Sequence, residues 1–153
     1  MRKIWSGPKV SDLVPYWFDP GFPAERNGGL LLGVQNTGDL IGTLLAFGAV
    51  GTGHEAAARL VTGLPGDWDE EWTVGTISVG EVRQVAGFLV DAPFDRWADR
   101  HHAALAAEAE ALGFHHPFDD SWVGEVVSGA ERLGALFVAA AAHDQAVITK
   151  ISA

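Results

Sequence analysis

The sequence predicts a single α+β domain over residues 1–153, with several amphipathic helices packed on a small sheet. Three observations predict it. Apolar residues recur at steps of three and four through most of the second half, the period of a helix with one buried face. The stretch Ala146 to Ile151 is short and β-branched, which is strand composition. Two or more strands and about five helices that do not alternate strictly suggest an α+β arrangement. Of the 153 residues, 48% are hydrophobic and 10% aromatic. A chain of roughly 150 residues hides about 68–70% of its unfolded surface, enough for one sizeable core.

Residues 1–29 are expected to be irregular. Pro8, Pro15, Pro20 and Pro23 each remove a backbone donor and clash with a preceding turn. They leave room for one short helix near Ser11 to Leu13. Tyr16, Trp17, Phe18 and Phe22 would pin the segment to the core. After Gly28-Gly29, the apolar run Leu30 to Val34 reads as a short strand. Asn36-Thr37-Gly38-Asp39 is turn chemistry, and Asp39 is expected to cap a helix over Leu40 to Phe47. Gly48, Gly51 and Gly53 break the chain. An Ala-rich helix from His54 to Thr62 follows, with Gly63 as its stop, and Pro65-Gly66-Asp67 turns the chain away.

Further on, Ser78 and Glu81 stand three apart and form a capping box, opening a helix from Val79 to about Val90. Val82, Val85, Ala86 and Leu89 share its apolar face. Asp91-Ala92-Pro93 ends it. A second long helix is expected from Pro93 to Leu112, with Gly113 as its stop. Phe94, Trp97, His101, Leu105 and Leu112 lie in one stripe at 100° per residue. A third is expected to begin after Ser121 and end near His143-Asp144. It turns Trp122, Val126, Ala130, Leu133 and Phe137 inward and Glu125, Ser128 and Arg132 outward. Ala146 to Ile151 closes the chain as a strand.

Charge narrows the function. Lys and Arg total 10 against 20 Asp and Glu, a formal net charge of −10. The basic residues are scattered, so the stripe that replaces counterions on phosphate is missing and no nucleic-acid partner is expected. An anionic membrane would repel this surface, and the longest uncharged apolar run, Leu40 to Gly53, is 14 residues, short of the roughly 18–20 of a spanning helix. A basic protein or a cationic ligand would be attracted. With no cysteine, disulfides, thiolate metal sites and cysteine nucleophiles are excluded. Met1 to Pro8 starts basic but no apolar core follows, so a signal peptide is not expected and the cytoplasm is the expected location.

Leu60-Val61-Thr62-Gly63, the segment Thr76-Ile77-Ser78-Val79-Gly80-Glu81-Val82, a long amphipathic helix and the final strand come in an order that resembles the YfbM-like family of small bacterial proteins (the DUF1877 domain). The resemblance covers roughly residues 54–153. It implies an α+β fold and a cytoplasmic bacterial protein, with no activity, cofactor or catalytic residue to carry over. The chain departs from the family pattern in two places. His54-Glu55 stands where a Trp-His pair is usual, and the first 50 residues differ from the usual opening.

Several groups bear chemistry. Asp67-Trp68-Asp69-Glu70-Glu71-Trp72 holds four carboxylates interleaved with two tryptophans. It lacks the ligand spacing of an EF-hand. It offers an acidic loop with aromatic anchors, suited to a partner's Arg and Lys. His101 lies in the apolar stripe with Glu108 at nearly the same angle; seven residues apart with Leu105 between, they do not touch directly, but they could line one pocket as base and orienter. His54 follows Gly48-Ala49-Val50-Gly51-Thr52-Gly53, which lacks the order of a P-loop or dinucleotide loop but leaves an anion site at a helix N-terminus open. His115, His116, Asp119 and Asp120 could hold zinc, nickel or manganese in a loop. The pairs His101-His102 and His115-His116 are about 21 Å apart along a helix and cannot share a metal. No Gly-x-Ser-x-Gly elbow is present. Trp97 and Trp122 fit helix stripes as core residues, whereas Trp5 and Trp17 stand in irregular sequence.

The expectation is therefore a non-catalytic cytosolic binding protein without a cofactor or metal. It would engage a basic protein partner through the 67–72 surface, in the manner of an immunity protein. The alternative is a small biosynthetic enzyme with a small-molecule pocket built from His101, Glu108 or His54 and tryptophan walls.

Overall fold

A computed structural model describes residues 20–21, 23–24, 32–34, 37–62, 67–68, 72–114 and 117–152. The expected helix near Ser11 to Leu13, the anchoring aromatics of residues 16–18 and 22, and the stops at Gly63 and Pro65-Gly66 lie outside the described residues. In chain order the elements are α1 (Gly38–Ala49), α2 (Glu55–Thr62), β1 (Asp67–Trp68), β2 (Trp72–Ile77), α3 (Val79–Leu89), α4 (Phe94–Arg100), α5 (His102–Ala111), α6 (Asp120–Ala142) and β3 (Val147–Ser152). The fold is α+β, as the sequence predicts. The three strands form one antiparallel sheet in the order β1-β2-β3. Among the described residues no helix is long and apolar enough to cross a membrane.

The uncharged run that begins at Leu40 becomes the central helix. α1 packs against α2, α4, α5 and α6. A helix touched on several sides must be apolar nearly all round, which explains its composition. Leu40, Leu44 and Leu45 are fully buried, with Ile41 and Ala49 beside them. α3 and α6 form the second main contact. Val82, Val85 and Leu89 from α3 and Val126, Ala130 and Phe137 from α6 are all buried there.

Two glycines let helices approach α1 closely. A Cβ at Gly48 would lie 2.2 Å from Trp97 Cε3 and 2.3 Å from its Cδ2, so the indole of α4 occupies the space a side chain would need. A Cβ at Gly129 of α6 would meet Ile41 Cδ1 at 2.5 Å. The Ile41 contact is with the tip of a flexible chain. The Gly48 contact is with a rigid ring and has no easy relief.

Five sequence expectations are corrected. Residues 32–34 have no regular structure, so the strand expected over Leu30 to Val34 is not formed there; Gly33 deprives it of a packing side chain. α1 starts at Gly38 with Thr37 as its N-cap. Asp39 is in its first turn, where its charge suits the helix dipole. The helix expected from Pro93 to Leu112 is two helices. At His101 the backbone leaves helical geometry, with φ −108° and ψ 17°, and the ring stacks on Phe47 at 4.9 Å and 13°. Leu105 of the expected stripe is buried beyond the break, but Leu112 is exposed. α6 begins at Asp120 rather than after Ser121, because the Asp119 carboxylate accepts the Trp122 N–H at 3.1 Å and so caps the helix. Finally, the acidic segment is not simply a loop: Asp67 and Trp68 form one strand and Trp72 begins the strand it pairs with.

Other boundaries agree closely. α3 spans Val79–Leu89 and carries the capping box. The Ser78 N–H and Oγ–H both donate to Glu81 Oε2 at 2.8 Å, and the Glu81 N–H donates to Ser78 Oγ at 3.4 Å. Gly113 ends the α5 region with φ 81°, a conformation that favours glycine. Asp144 in the turn before β3 also has positive φ, at 52°, and its carboxylate pairs with Arg83 of α3.

Gly48→Ala is expected to destabilise the protein by about 1–3 kcal/mol in chemical denaturation, because the new methyl must displace Trp97. Gly87→Ala is the control. It sits in α3 with nothing within 4 Å of its Cβ position and should be neutral or stabilising by up to about 1 kcal/mol.

Ser78→Ala should cost about 1 kcal/mol through loss of the cap. The hydrogen bonds from the Ser78 backbone and hydroxyl hold the Glu81 carboxyl below its ordinary value of 4.5. A lowered folded value stabilises the protein above 4.5, and that stabilisation is lost as the pH falls through the folded value. Glu81→Gln should therefore flatten the acid side of a stability–pH curve measured from neutral pH to about 3.

Candidate functional site

The acidic segment is organised by strand pairing. Asp67 is the register partner of Val74 and Trp68 of Thr73. Trp72 pairs in turn with Ser152 of β3. Residues 69–71, outside the described residues, therefore join two antiparallel strands. The pairing draws Asp67, Trp68 and Trp72 to one end of the sheet, with Asp69, Glu70 and Glu71 between them in sequence. β1 is only two residues long and is the last strand in the order beyond β2. Charge and short length are both features that keep a sheet edge from pairing indiscriminately.

The histidine candidates lie against an aromatic cluster. His54 is exposed just before α2, and its ring stacks on Phe88 at 5.4 Å. Phe88 stacks on Trp97 at 5.7 Å, and Phe94 meets Trp97 edge-on at 5.7 Å. Trp97 fills the space over Gly48, whose neighbour Phe47 stacks on His101. His54 thus belongs to the Phe88–Trp97–Phe94 ring cluster, and His101 to a separate pair with Phe47, the two groups adjoining where Trp97 covers Gly48. The fold does not bring Glu108 to His101. Glu108 is seven residues further along α5, about 10 Å of helical rise, and among the described residues no hydrogen bond joins them. A base and its orienter need hydrogen-bond contact.

At the glycine break the chain supplies its own anion. The Gly51 N–H donates to Glu55 Oε1 at 2.8 Å. The Thr52 hydroxyl donates to Ala49 O at 2.6 Å and accepts from the His54 N–H at 3.2 Å. Hydrogen bonds from its own amide, then from that of Gly51, hold the Glu55 carboxyl below 4.5. An external anion at this helix start would compete with a carboxylate already in place, so the anion-site expectation there is corrected.

Of the metal candidates, His115 and His116 lie outside the described residues. Asp119 caps α6 and Asp120 is in its first turn. Among the described residues no three His, Asp or Glu side chains cluster to hold a metal. Trp97 and Trp122 are partly buried against the core, as their stripes predict. Trp122 packs on Phe114 at 4.8 Å. Trp5 and Trp17 lie outside the described residues.

One feature was not singled out in the sequence. A polar cleft of about 360 Å³ opens between Gly33, Val34 and Thr37 on one side and α6 on the other. Ser121, Gly124, Glu125, Ser128 and Arg132 line the α6 side. Its signal was the spacing 121, 124, 125, 128 and 132, one face of a helix. The loop opposite could not be placed from sequence. Arg132 Nε donates to Ser128 O at 3.4 Å along the same helix.

No protein-family model, curated protein or solved structure matches the chain.

Removing the Glu55 carboxylate should loosen the 51–54 turn. Glu55→Ala is expected to raise hydrogen exchange at the Gly51 amide several-fold, read by NMR, while amides in the centre of α3 keep their protection.

Proposed function

We propose that the protein is a non-catalytic cytosolic binding protein whose acidic, tryptophan-bearing hairpin end engages a basic protein partner. The single observation that supports this reading is the pairing of β1 with β2, two strands whose residues Asp67, Trp68 and Trp72 belong to a sequence segment of four carboxylates and two tryptophans. No basic residue interrupts the segment. Carboxylates pair with Arg and Lys of a partner, and tryptophan is enriched where interfaces gain most of their energy. The net charge of −10 speeds encounter with a cationic surface and makes it salt-dependent. An immunity protein bound to a basic toxin is the class this chemistry fits.

The reading extends to a YfbM-like fold over residues 54–153. It is supported by the order of α2, the capped α3, the long α6 and the terminal β3. The small-molecule enzyme has less support. His54 and His101 stack on aromatic faces, and Glu108 is too far along α5 to orient His101.

The test is a pull-down from the native cell extract at low and high salt, followed by titration of the captured protein. A basic partner lost as salt rises is expected. Charge reversal by Asp69→Lys, Glu70→Lys and Glu71→Lys should weaken it by about ten-fold or more. The triple variant Asp99→Lys, Glu110→Lys and Glu131→Lys makes the same net-charge change at exposed positions elsewhere and should weaken it far less. Equal affinity for the wild type and the 69–71 variant would overturn the proposal.

A further inference from the structure

We draw no further inference here: the strongest candidate, the polar cleft between α6 and Gly33, Val34 and Thr37 at the N-terminus of α1, carries nothing because a helix N-terminus beside exposed side chains has no second observation in the structure that points to a ligand.

Discussion

The contact between Gly48 and Trp97 is the constraint on which the arrangement of helices depends. α1 packs against α2, α4, α5 and α6, and α4 reaches its last turn only because Gly48 has no side chain. The indole over that gap also organises its surroundings. Phe88 stacks on it from α3 and Phe94 meets its edge, so one ring joins three helices. Aromatic pairs in offset or edge-on geometry add about 0.5–1.5 kcal/mol each beyond the area they bury. Trp97 collects two such pairs while filling space that smaller side chains would leave as a void.

The break at His101 follows from the same packing. A continuous helix from Pro93 to Leu112 would keep one straight stripe against α1. Instead α4 seats Trp97 on Gly48 and the chain bends at the next turn, where His101 lies face to face with Phe47. The Leu105 N–H still donates to the His101 carbonyl at 3.0 Å, so the break costs little hydrogen bonding. α5 then buries Leu105 and Ala109. Splitting one helix into two lets both halves contact α1.

The charged parts of the molecule divide into those consumed by the fold and those left over. Glu81, Glu55 and Asp119 each satisfy backbone donors at a helix start, where free amides otherwise need water or a ligand. Such carboxylates stabilise the chain and are not available for recognition. Asp67 has a different setting, in the short strand β1 rather than at a helix terminus, and Asp69, Glu70 and Glu71 follow it in sequence. This contrast between carboxylates bound to their own backbone and carboxylates interleaved in sequence with tryptophans underlies the binding proposal.

Local chemistry was legible in the sequence. Ser78 and Glu81 mark the start of α3, Gly113 ends the α5 region, and β-branched residues mark β3, because each depends on neighbours within a few positions. The buried faces of α3 and α6 followed from periodicity for the same reason. Tertiary structure decided what depends on distant partners. Nothing near Gly48 in sequence shows that Trp97 needs its space, and nothing near His101 shows that Phe47 will stack on it and that the helix will break there. The strand β2 was hidden because Gly75 interrupts its β-branched run, and it becomes a strand by pairing with β3, more than 70 residues away. β1 pairs through Asp67 and Trp68 with the other side of β2. Sequence determined which residues carry charge and aromatic surface; long-range pairing decided which of them stand together.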